Sequence, residues 1–180
     1  MLPREQIYAH TGIQFVQFNT LFQRLAEREQ QVNFIEIAER FLPIPNFLLY
    51  LLSGVQKAEY TIASTTQLTD PRHRDWSREI LDGFHLPEHI FPPIVEPGTV
   101  LGPLLPEVVR QTGVDPETPV IAGASHDTAA AVASIPAQTD GWAFLSSGTW
   151  SLMGLELEHP LINAQALHFN VTNEGGVAGT

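Results

Sequence analysis

Between Val120 and Leu155 the chain reads VIAGASHDTAAAVASIPAQTDGWAFLSSGTWSLMGL, two polar turns each set against an apolar run. Val120 to Ala124 is short and apolar, which suits a buried strand in a sheet covered on both faces. Ser125, His126, Asp127 and Thr128 follow, and then Ala129 to Ala133, small residues that favour helix. A strand that ends in a polar corner and opens into a helix suits an α/β arrangement with its sheet incomplete. In such sheets ligands collect at the corner.

Chemistry at that corner has two readings. Asp127 can serve as a general base that accepts a proton from a substrate hydroxyl. Alternatively, Ser125 or Asp127 caps the next helix by accepting orphan backbone N–H bonds. The second turn is equally two-sided. Trp142 to Leu145 predicts a strand, Ser146-Ser147-Gly148-Thr149 a tight turn, and Trp150 to Leu157 the returning strand. Hydroxyls, N–H groups and a glycine that admits close backbone approach form a concave donor site for phosphate oxygens. Serine and glycine are also ordinary hairpin residues.

Composition narrows the partners. A chain of 180 residues with 43% hydrophobic content can bury a core of one domain or parts of two. Its formal net charge of -11 argues against a nucleic-acid backbone, which needs clustered Lys and Arg. No run of about 18 apolar residues suggests a membrane span, and MLPREQIYAH lacks the charged-then-apolar pattern of a secretory signal. The absence of cysteine removes disulfides and thiolate metal sites and fits a cytoplasmic setting.

Elsewhere the local signals predict short helices. Asn19-Thr20 caps one through about Glu29. Asn33 starts another reaching Arg40, with Phe34, Ile35, Ile37, Ala38 and Phe41 on its buried side. Pro45 suits the first turn of a helix from Asn46 to Leu52 that stops at Gly54, and a helix from Pro106 to Thr112 stops at Gly113. Trp76 to Phe84 has helical spacing. Glu59 to Leu68, EYTIASTTQL, is a hydroxyl-rich segment that either binds a sugar or ties the chain to the core through local side-chain bonds. His73, His85 and His89 lack metal-ligand spacing. Ile135 to Gly141, IPAQTDG, marks a boundary.

Five strings, GIQFVQFNTLF, EYTIASTTQL, ASHDTAAAVAS, LSSGTWSLMGLE and VTNEGG, resemble in the same order the middle of rhamnulokinases, within the FGGY-type carbohydrate kinases. That resemblance implies an actin-like ATPase, ribonuclease H-like two-domain α/β fold, present in part. Residues 1–137 would be the end of the first, sugar-binding domain and 138–180 the opening of the second, nucleotide-binding domain, with a hinge near IPAQTDG. Asp127 and the Ser146 to Thr149 turn would then face one another across a cleft. The resemblance further implies ATP-dependent phosphorylation of L-rhamnulose at its 1-hydroxyl, with Mg²⁺. Asp127 would be the base, His126 and Thr128 would contact the sugar, and Ser146, Ser147, Gly148 and Thr149 would approach the phosphates. Trp150 is expected to pack rather than stack on a base.

The departures are equally specific. The family's opening strand and glycine-containing phosphate loop, an early sugar-contacting glycine and the adenine pocket have no counterpart here. Asn46 stands where aspartate is usual, and Pro43 is unusual in that segment. The expectation is a central piece of a kinase, inactive by itself and poorly soluble or oligomeric when isolated. Two further readings remain: a kinase for another ketose or sugar alcohol, and a non-catalytic binding module in which Asp127 is only a cap.

Overall fold

Glycine and proline punctuate the first half as their backbone chemistry requires. The structure, a computed structural model, describes residues 2–30, 34–139 and 141–179. Helix α1 (Arg4–Thr11) stops at Gly12, whose φ of 66° lets its N–H return to the Tyr8 carbonyl. Helix α2 (Thr20–Glu29) begins after Asn19, but the Asn19 side chain does not cap it. Its amide instead donates to Gln14 O at 2.8 Å and to Gln67 Oε1 at 3.1 Å, joining two distant segments. Helix α3 (Phe34–Ile37) is a single turn, shorter than expected, and the predicted cap Asn33 lies outside the described residues. Phe41 accounts for the early stop. Its N–H bonds to Ile90 O at 2.8 Å and its ring packs against Trp76 and Phe91, drawing the chain out of helical register. Ile35, Ala38 and Phe41 do face the core, whereas Phe34 and Ile37 are exposed.

Helix α4 (Ile44–Ser53) carries Pro45 in its first turn and stops at left-handed Gly54. The hydroxyl-rich segment opens with the end of strand β1 (Ala58–Glu59) and continues as helix α5 (Tyr60–Ser64). Strands β2 (Thr69–Asp70) and β3 (Asp75–Trp76) pair antiparallel, and Ser77 caps helix α6 (Arg78–Gly83). Strand β4 (Ile94–Val95) runs parallel to β1. Strand β5 (Thr99–Pro103), helix α7 (Pro106–Thr112) and strand β6 (Pro119–Ala122) follow. Strand β6 pairs antiparallel with β5 alone among the described residues, so only Val120 and Ala122 are buried and Ile121 faces out. The expectation of a strand covered on both faces is therefore corrected: one face packs toward α4 and the other is open.

Helix α8 (Asp127–Ala133) leads to a hairpin of β7 (Ala143–Ser147) and β8 (Ser151–Leu155), then α9 (Ala164–His168), capped by Asn163. The core lies among α1, α2, α6 and their connections, where Ile7, Leu21, Leu68, Ile80, Leu81 and Phe84 are buried. Each such side chain contributes about 1.5–3 kcal/mol through burial. After α9 the chain comes back to α1. Tyr8 Oη donates to Val171 O at 2.8 Å, and Asn173 N donates to Gly12 O at 2.9 Å. The stretch beyond residue 138 is thus tied to the first half at its far end.

Candidate active site

Helix α5 organises the site. Glu59, fully buried, accepts from Thr61 N at 2.8 Å, Thr61 Oγ1 at 2.6 Å and Ile62 N at 3.3 Å, capping the helix. A buried carboxylate is tolerated because charge-assisted bonds replace its water. The same pair reaches across 64 to 66 residues of sequence. Ser125 N donates to Glu59 Oε2 at 3.1 Å and to Thr61 Oγ1 at 3.0 Å, and His126 N donates to Thr61 Oγ1 at 3.1 Å. The backbone that enters α8 is therefore clasped before the helix starts.

That clasp sets Asp127 at the first helical position, where its side chain is 97% exposed. His126 is the capping residue by backbone and gives no side-chain cap bond, Ser125 does not cap either, and of the two expected caps only Asp127 meets an orphan N–H of the first turn. Ser125 Oγ donates instead to Gly123 O at 3.0 Å, and Asp127 Oδ1 accepts only from its neighbour, Thr128 N at 2.8 Å and Thr128 Oγ1 at 3.5 Å. Among the described residues the other carboxylate oxygen, Oδ2, accepts no hydrogen bond and the side chain is open to solvent, as an acceptor for an incoming hydroxyl must be. The His126 ring is mostly buried; its Nε2 lies 3.6 Å from Asp127 Oδ1 and its Nδ1 lies 3.3 Å from Glu174 Oε2. Burial pushes the Glu174 carboxyl above its ordinary range, with His126 and the Thr172 hydroxyl acting in the opposite direction. Thr128 is half-buried beside Asp127.

The second turn sits at the tip of the hairpin. Ser147 pairs with Ser151, their hydroxyls 3.2 Å apart, and Gly148 N donates to Trp150 O at 2.8 Å, leaving Gly148, Thr149 and Trp150 as the exposed loop. A Cβ on Gly148 would meet no described atom within 4 Å. Packing therefore does not demand glycine there, while close approach by a ligand would. Ser146 faces the half-buried side of the hairpin and Ser147 the exposed side. Trp150 is 69% exposed, with Phe18 as a tilted ring neighbour at 6.4 Å, so the expected packing role reduces to one surface contact. Helix α8 lies against β7, the first strand of the hairpin.

Sequence reasoning missed Glu59, Thr61 and Ser64 as the scaffold, and Glu174 as the partner of His126. The EYTIAS string was legible as hydroxyl-rich, and its local bonds do form: Ser64 Oγ to Thr61 O, Thr65 Oγ1 to Ile62 O and Thr66 Oγ1 to Ala63 O. The Glu59 cap carried no local signal, because Glu is not a preferred N-cap residue and the capping-box order of Ser or Thr followed by Glu is absent here. Glu174 had no signal either, since its partner is 48 positions away.

Residues 2–133 match the FGGY family of carbohydrate kinases, N-terminal domain. The chain is 45% identical over 179 residues to a rhamnulokinase of Bacteroides thetaiotaomicron, covering 99% of this chain and 37% of that protein. It is also 45% identical over 179 residues to a rhamnulokinase of Pectobacterium atrosepticum, covering 99% of this chain and 35% of that one. A ligand-bound xylulose kinase from Lactobacillus acidophilus superposes with a TM-score of 0.80 at 24% identity, over 91% of this chain and 33% of that one. The chain therefore spans little more than a third of the length of the curated relatives it matches.

Proposed function

Because the chain belongs to the FGGY family of carbohydrate kinases, we propose that it is the part of a kinase that uses ATP to phosphorylate L-rhamnulose at its 1-hydroxyl, yielding L-rhamnulose 1-phosphate in rhamnose breakdown. Its fold is part of the actin-like, two-domain α/β fold of sugar kinases. The observation that carries the reading is the outward Asp127 carboxylate on a backbone corner that a buried Glu59 and Thr61 hold fixed. Identity of 45% to rhamnulokinases favours this ketose, whereas 24% to a xylulose kinase supports the fold alone.

Phosphoryl transfer asks the protein for position, charge neutralisation and a proton acceptor. Asp127 takes the 1-hydroxyl proton as that oxygen bonds to the γ-phosphorus, and the bond from phosphorus to the ADP oxygen breaks. His126 and Thr128, on either side of Asp127, orient the sugar. Ser146, Ser147, Gly148 and Thr149 offer hydroxyls and N–H groups to the ATP phosphates. Among the described residues no cluster of His, Asp or Glu could hold a metal ion by itself. The hydroxyl turn fits a phosphate-borne ion instead, and Mg²⁺ would enter on ATP and neutralise phosphate charge. On this reading residues 1–137 close the sugar-binding domain and 138–180 open the nucleotide-binding one. No helix among the described residues is long and apolar enough to cross a membrane, and a cytoplasmic enzyme acting on a small ketose agrees with that.

In the full-length protein, Asp127→Asn is expected to lower turnover by at least ~10²-fold with sugar affinity nearly intact, while Thr149→Val weakens MgATP more than sugar. Steady-state kinetics on a panel of ketoses, read as ATP consumed per sugar, checks both. Near-normal turnover of Asp127→Asn removes the base assignment.

A further inference from the structure

We propose that Glu174 is the positioning residue of this site, holding the His126 ring so that its Nε2 edge stays against the Asp127 carboxylate. The inference rests on the reading of Asp127 as the base. His126 spans two carboxylates, 3.3 Å from Glu174 Oε2 through Nδ1 and 3.6 Å from Asp127 Oδ1 through Nε2. Its Nδ1 is buried and, among the described residues, makes no aligned hydrogen bond, while a Glu174 oxygen stands 3.3 Å from it. An imidazole buried in this way has its orientation set by whatever stands at its inner nitrogen.

Glu174 is fixed from both sides. On one, Asn173 bonds Gly12 O through its backbone N–H at 2.9 Å and its side-chain amide at 3.0 Å. On the other, Gly175 N donates to Ser64 Oγ at 2.9 Å, and Gly175 lies so close to the Tyr60 ring that a Cβ there would come within 2.2 Å of it. Ser64 and Thr61 belong to α5. One short helix therefore grips the backbone of Gly175 on one side and the backbone of Ser125 and His126 on the other. The Glu174 to His126 spacing is set by that helix and not by the intervening hairpin. Burial favours the neutral form of Glu174 and the facing imidazole favours its anion, so the two groups depend on each other.

The test uses the full-length protein carrying Glu174→Gln or Glu174→Asp, with Asp127→Asn beside them. Steady-state kinetics with ketose and MgATP are combined with ¹H–¹⁵N spectra of the His126 imidazole and with melting temperatures. Glu174→Gln is expected to lower kcat by ~10-fold or more, the scale of a small misplacement of a reacting group. KM for both substrates should stay within about twofold, and Glu174→Asp should recover part of kcat. The His126 Nδ1 resonance should move in Glu174→Gln. An unchanged kcat in Glu174→Gln while Asp127→Asn is inactive overturns the proposal and leaves the base assignment standing. Full activity of Asp127→Asn overturns the base assignment, and an unmoved His126 resonance overturns the Glu174 contact whatever the kinetics. If Glu174→Gln lowers kcat and raises both KM values together with a lowered melting temperature, and Glu174→Asp recovers nothing, the role is structural and the proposal fails.

Discussion

Tyr60 shows how one residue serves two masters. Its ring lies under the Arg74 guanidinium, 3.8 Å from centroid to Cζ, and against Gly175, while Arg74 also forms a forked pair with Glu96 at 2.8 and 2.7 Å. Burial pushes the Tyr60 phenol up to about 12, with Arg74 pulling the other way. The sign follows from linkage: the folded state holds the phenolic proton more tightly than the unfolded state, whose tyrosine titrates near ~10. This contribution to stability is complete below about pH 10 and is lost as pH rises toward 12. The melting temperature of the full-length protein should therefore fall more steeply between pH 10 and 12 in the wild type than in Tyr60→Phe. Equal slopes would show that Tyr60 is not the group responsible.

At the scale of elements, α5 is a five-residue helix that would not persist alone. Its stability comes from Glu59, whose carboxylate meets three backbone N–H groups and the Thr61 hydroxyl, one of those N–H groups belonging to Ser125. Glu59→Ala would leave buried donors unsatisfied, at about 1–3 kcal/mol for each group that finds no water. A loss of at least ~2 kcal/mol is expected in urea unfolding, with Glu59→Gln milder because one acceptor oxygen remains. A Glu59→Ala protein as stable as wild type would show that the Ser125 corner is held by something else. The elements themselves were largely legible. Pro45, Gly54, Pro106 and Gly113 bracket α4 and α7 as backbone preference dictates, because φ constraints act locally. The α3 helix was over-read for the opposite reason. Its apolar spacing extends to Phe41, but Phe41 is claimed by Ile90, Trp76 and Phe91 from a distant segment.

For the whole molecule, the described sheets are four separate two-stranded pairs, and much apolar surface is left uncovered. Leu145, Met153 and Leu155 line one face of the hairpin at 68%, 80% and 62% exposure, and Phe47, Leu48 and Leu51 are exposed along α4. Monomeric proteins rarely display patches of this kind, and open strand edges invite pairing. The 180-residue polypeptide by itself should therefore elute as oligomers or precipitate. A monomer by light scattering with one sharp thermal transition would contradict this. The length relation agrees with the surface, since relatives of 45% identity extend to nearly three times the matched region.

What the sequence determined by itself depends on near neighbours: the strand, turn and helix around Asp127, the presence of a hairpin after it though not the residues that close it, the stops of α4 and α7, and the family resemblance. Backbone preference and side-chain periodicity act over a few residues, so they can be read from a string. Only the tertiary structure decided that Glu59 and Thr61 would clasp a corner more than 60 residues away, that the chain would return to lay Glu174 beside His126, and that Asp127 would face solvent. Those relations depend on which distant groups burial forces together, and a buried donor or carboxylate takes whichever partner the packing presents.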